Sequence, residues 1–122
     1  MKAHSIKLLV IAALLMIPVV TPAQKSRTAE EKAFVGYISD SSCGLKHMEG
    51  MNEKDCTLVC ARNGRFVLAD REKKIVYQLD DAGQKKAPEF AGQKVTVTGR
   101  LSGKRMRVTS IEGCIATQPC VQ

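Results

Sequence analysis

Cys43, Cys56 and Cys60, three of the chain's five cysteines, gather with His47 and Met48 in one short stretch. Cys43, His47, Cys56 and Cys60 offer three thiolates and one imidazole, a set that Zn²⁺ accepts tetrahedrally. Met48 adds a thioether, which extends the candidate ions to Cu(I). The same sulfurs can instead cross-link the fold. Cys114 and Cys120 flank a five-residue segment and can close a tight loop. Cys43 can pair with Cys56 or with Cys60, each bridge contributing roughly 2–4 kcal/mol. Cys56 and Cys60 are poor mutual partners, because Cβ bonds at i and i+4 of a helix run parallel. Five cysteines are odd in number, so bridging leaves one thiol over. A third use is nucleophilic: Cys43 lies four residues before His47 and could be activated by it.

Catalytic constellations are otherwise missing from the sequence. There is no Cys-x-x-Cys, no Gly-x-Ser-x-Gly elbow beside Ser41 and Ser42, no phosphate loop and no dinucleotide fingerprint. Asp80-Asp81 reads as a solvated turn. The expected function is therefore a non-enzymatic, disulfide-stabilised binding or interaction module without a cofactor. The alternative is a Zn- or Cu-binding protein that uses Cys43, His47, Cys56 and Cys60.

The elements that must position these side chains begin after an address. Lys2 and Lys7, an apolar run from Leu8 to Ile17, Pro18 and the small residue Ala23 read as a signal peptide over residues 1–23. The run is short for a membrane span, which needs about 20 apolar residues, so no anchor is expected after cleavage. Removal leaves 99 residues (122 less 23), enough for one domain and one modest core. The expected location is secreted or periplasmic, where paired cysteines persist.

Residues 24–32 are polar and read as a flexible leader, residues 33–113 as the folded domain, and residues 114–122 as a cysteine-containing tail. Phe34 to Asp40 predicts the first strand, with Gly36 marking a bend or bulge. A loop from Cys43 to Met51 leads to a helix. Asn52 is its N-cap, Asp55 suits its first turn, and Gly64 is the expected left-handed stop. Cys56, Val59 and Cys60 share one helical face. Arg65–Asp70 and Ile75–Leu79 predict a hairpin across a short polar turn. Asp80 to Gly92 reads as a polar connection, with a helical turn near Pro88–Ala91. Val95, Val97, Gly99 and Leu101 then alternate with polar residues, and after Ser102-Gly103-Lys104 the alternation resumes through Met106 and Val108. The expected fold is mainly β: a small five-stranded OB-like barrel with one helix inserted after strand 1. Closure removes exposed sheet edges.

The outward face of the last hairpin carries Thr96, Thr98, Arg100, Arg105, Arg107 and Thr109. With a formal net charge of +7 for the full chain, it is the best candidate surface for an anionic envelope or extracellular partner. Nucleic acid is not expected, because aromatic residues are only 4% and tryptophan is absent, leaving few platforms for bases to stack on.

Three groups of segments also carry a resemblance. They are Phe34–Gly44, Asp55–Cys60 with Arg65–Leu68, and Phe90–Leu101 with Val108–Ile111. Together the chain resembles a family of small exported bacterial domains of unknown function, and is similar to bacterial periplasmic OB-fold proteins. The resemblance implies an OB-like barrel and export. It implies no reaction, and the tail cysteines stand outside its usual pattern.

Overall fold

The computed structural model describes residues 29–120 of the chain. The expected signal segment and residues 24–28 lie outside the described residues. Five strands form one closed barrel: β1 (Glu31–Asp40), β2 (Phe66–Asp70), β3 (Ile75–Leu79), β4 (Lys94–Ser102) and β5 (Arg105–Gly113). Around the barrel they run β1-β2-β3-β5-β4 and return to β1. All neighbours are antiparallel except β3 and β5, where Gln78 and Leu79 pair in parallel with Arg105 and Met106.

Closure depends on β1 serving two partners. Its first seven residues pair with β4, and from Tyr37 onward it pairs with β2. The strand starts three residues earlier than the sequence suggests. Glu31 and Lys32, expected in the leader, pair with Arg100 and Gly99. Their side chains stay exposed; the long β4 supplies backbone partners that an apolar pattern does not report. The irregularity expected at Gly36 falls elsewhere, as a register shift between Thr98 and Gly99.

The alternation in the hairpins translates directly into the core. Val95, Val97, Met106, Val108 and Ile111 point inward and join Ile38, Leu68, Tyr77 and Leu79. The polar residues between them face outward.

Among the described residues, two α-helices lie outside the sheet. α1 (Glu53–Ala61) follows β1, as expected, and Asn52 caps it by accepting from the Asp55 N–H at 2.9 Å. Its far end differs from expectation. Gly64 is not left-handed; Arg62 is the C-cap and remains right-handed. Gly64 is needed for space, since a Cβ there would stand 2.6 Å from Ser41 Oγ. The second helix, α2 (Asp81–Lys86), replaces the expected polar connection, and a 3₁₀ turn follows at Ala87–Phe90. Asp80 is not a solvated carboxylate. It caps α2 by accepting from the Gly83 N–H at 3.0 Å and also accepts from the Val108 N–H at 3.2 Å.

The tail closes on itself. Cys114 and Cys120 form a disulfide with their Cα atoms 5.1 Å apart. Ile115 and Gln118 exchange backbone hydrogen bonds inside the loop. Thr96 Oγ1 donates to Cys120 Sγ at 3.2 Å, which ties the loop to β4.

Candidate metal centre

The site lies where α1 covers the C-terminal end of β1. An isolated strand would show one face to solvent there, yet Ser39 and Asp40 are both fully buried. α1 buries them, together with its own Cys56 and Thr57. The helix start is set by Gly92, whose φ of +74° only glycine adopts readily. A Cβ at Gly92 would approach Lys54 N to 2.6 Å, so the bare backbone at this point lets the first turn of α1 sit down on the barrel.

Asp40 organises the loop after β1. Its Oδ1 accepts the N–H groups of Ser42 (2.9 Å) and Cys43 (2.8 Å). Gly44 N–H donates to the Asp40 carbonyl at 2.8 Å, and Ser39 Oγ donates to the Gly44 carbonyl at 2.7 Å. The far end of the helix is tied to the same loop. Ser41 N–H donates to the Arg65 carbonyl at 2.8 Å, and Ser41 Oγ accepts from the Arg65 N–H at 3.0 Å. Both chain segments that carry the sulfurs are therefore fixed by backbone hydrogen bonds.

Cys43 Sγ lies 3.7 Å from Cys56 Sγ and 3.8 Å from Cys60 Sγ. All three are free thiols, so neither expected bridge from Cys43 is formed. One carboxylate oxygen of Asp40 joins them, and the four donor atoms lie within 4.8 Å of one another. Asp40 Oδ2 is buried and has no hydrogen-bond partner among the described residues. A buried carboxylate oxygen left in this way carries a desolvation penalty that a cation would remove.

The electrostatics agree with that geometry. Burial pushes the Cys43 thiol up to about 12, and its contacts with Cys56, Cys60 and the Asp40 carboxylate push the same way. Cys60 also rises: its hydrogen bond with Cys43 pulls it down, but burial, Asp40 and Cys56 outweigh that pull. Negative charge accumulates poorly here without a positive ion to balance it.

His47 is not part of the cluster. The loop carries it to Arg71, whose Nη2 lies 3.3 Å from His47 Nε2. A guanidinium can only donate, so Nε2 is the acceptor in this contact. The same Arg71 pairs with Glu53 at 2.9 Å and stacks over the Tyr37 ring at 3.8 Å. Arg71 thus joins the loop, the first turn of α1 and the barrel wall. Met48 points to solvent, 49% exposed. Asp40 takes the place expected for His47. Its signal in the sequence is an Asp-x-x-Cys turn at a strand end, where the carboxylate caps the following amides.

The outward residues of the last hairpin separate. Thr96 is engaged by the tail disulfide, and Thr98 is half-buried. Arg105 lines a depression of ≈ 360 Å³ with Arg65, Asp80 and Asp81, whereas Arg100 and Arg107 line another of ≈ 180 Å³.

Fold and site together describe a closed five-stranded barrel with a helix-covered cluster of three thiols and a carboxylate. No family model, no characterised protein and no solved structure matches the chain.

Proposed function

We propose that this chain is an exported OB-like barrel protein that binds one Zn²⁺ ion through Cys43, Cys56, Cys60 and Asp40. The strand order supports the OB-like reading, and the disulfide in the tail supports an oxidising compartment. The observation that carries the metal reading is a buried, half-unpartnered carboxylate set against three free thiols, of which Cys43 touches both others. A tetrahedral zinc with bonds of about 2.3 Å to sulfur separates its sulfurs by about 3.8 Å. Cys43 already stands at that spacing from both partners. The hard carboxylate favours Zn²⁺ over Cu(I), and the exposed Met48 removes the main argument for copper.

The test is elemental analysis of reduced protein purified without chelator, together with Co²⁺ substitution. One ion per chain and the absorption of tetrahedral thiolate–Co²⁺ are expected. Reduced, folded protein that takes up neither ion would refute the proposal.

A second reading concerns the Arg face. Arg100 and Arg107 stand directly opposite each other in the β4–β5 register, and among the described residues neither makes an ion pair. Like charges placed so are destabilising until an anion bridges them. This supports an anionic partner. Retention on a sulfated polysaccharide column should fall in an Arg100→Ala/Arg107→Ala variant; unchanged retention would remove the reading.

A further inference from the structure

We propose that the metal centre is gated by oxidation, with Cys43 as the obligatory partner in every bridge that opens it. The proposal rests on the zinc reading above and adds its regulation.

The geometry makes the three thiols unequal. Cys43 touches both others, while Cys56 and Cys60 project from one helix four residues apart. Their parallel Cβ bonds oppose a mutual bridge. Cys56 is fully buried, whereas Cys43 and Cys60 are partly open to solvent. An oxidant therefore reaches Cys43 or Cys60 first. If Cys60 is attacked, the neighbour able to resolve it is Cys43. If Cys43 is attacked, Cys56 or Cys60 resolves it. Closing either gap to the disulfide length of about 2.05 Å asks for a movement of less than about 2 Å.

The oxidant is a hydroperoxide. The exposed sulfur attacks its distal oxygen, the O–O bond breaks, and an alcohol (or water, from hydrogen peroxide) leaves. The sulfenic acid so formed is attacked by the second sulfur. The S–S bond forms and the sulfenic oxygen leaves as water. Two thiolates lose two electrons in total, the hydroperoxide gains them, and two protons are taken up. Two of the three sulfur ligands are then gone, and the zinc leaves as the free cation.

The experiment titrates the zinc-loaded full chain with hydrogen peroxide. Released zinc is followed with a chromogenic chelator, and bridges are mapped by mass spectrometry after alkylation. Metal-free reduced protein is treated in parallel. One zinc should be released per new disulfide, every new disulfide should contain Cys43, and one thiol should remain at Cys56 or Cys60. Thiol reductant should restore zinc binding. Cys60→Ser should still form the Cys43–Cys56 bridge, while metal-free Cys43→Ser should form no bridge between Cys56 and Cys60. A Cys56–Cys60 bridge in the native chain, or zinc retained after the bridge has formed, would overturn the proposal. Protein that never binds zinc yet bridges only through Cys43 would remove the zinc reading and its gating, but leave the role of Cys43 intact.

Discussion

The carboxylate of Asp40 accepts the backbone N–H of Cys43 at 2.8 Å, so the group that borders the sulfur cluster also fixes the cysteine at its centre. The two oxygens divide the work. Oδ1 shapes the turn, and Oδ2 is left buried and unpartnered.

Asp40→Asn should separate these roles. The amide oxygen can still accept from Ser42 and Cys43, so the turn survives, but the charge is lost. Zinc affinity should fall by at least about 10-fold, since even partners outside the ligand set are worth 10–100-fold. Thermal stability of the metal-free protein should change little. Competition with a chromogenic chelator measures the first, and a melting curve the second. Asp40→Ala should lower both.

pH should act in opposite directions on stability and on metal binding. Cys43 rises from an ordinary 9.0 to about 12 on folding. Above pH 9 the unfolded chain therefore binds fewer protons than the folded one, and stability is lost as pH rises from about 9 through 12. Chemical denaturation of reduced, chelator-treated protein at pH 8 and pH 10.5 should show the loss, and Cys43→Ser should reduce it. Zinc needs thiolates, so its affinity should rise with pH over the neutral range. Stability of the metal-free protein that did not fall in alkali would contradict the raised Cys43 thiol.

Arg71 holds the loop, α1 and β1 together through His47, Glu53 and Tyr37. Its pairs are partly exposed, so Arg71→Ala should cost only about 1 kcal/mol. The local effect should be larger than the global one. Amide hydrogen exchange across residues 43–52 should accelerate while the barrel strands stay protected. Arg71→Lys should not restore protection, because an ammonium lacks the planar face and the fork of donors.

Gly92 and Gly103 both have positive φ, +74° and +59°. An added Cβ would meet α1 at Gly92 and nothing within 4 Å at Gly103. Gly103→Ala should therefore report the backbone strain alone, about 1 kcal/mol. Gly92→Ala should cost clearly more and should weaken zinc binding, because the shifted helix carries Cys56 and Cys60. Equal losses in urea denaturation of the two variants would mean that the contact with α1 contributes nothing.

Much of the barrel is legible residue by residue. Alternation through Val95, Val97, Met106 and Val108 marks the inward face of a hairpin, because strand side chains change sides at every step. Asn52 and Asp55 announce the start of α1, since they can satisfy amides that the helix leaves open. α2 is hidden by contrast. It has six residues and a glycine in its middle, and the helix forms because Gly83 fits closely against Val108 and Leu79 and Gln84 bonds the backbone of Phe66 and Leu79.

The cluster divides in the same way. That cysteines 43, 56 and 60 could meet is written in their spacing and in the helical repeat. Which fourth group joins them is not. His47 and Asp40 are both near Cys43 along the chain, four and three residues away. The loop's path sends one to Arg71 and folds the other back beneath the sulfurs. Local patterns follow from bond geometry that every short segment carries within itself. The fourth donor depends on contacts between segments far apart in sequence, and those exist only once the barrel has closed and α1 has been laid across its end.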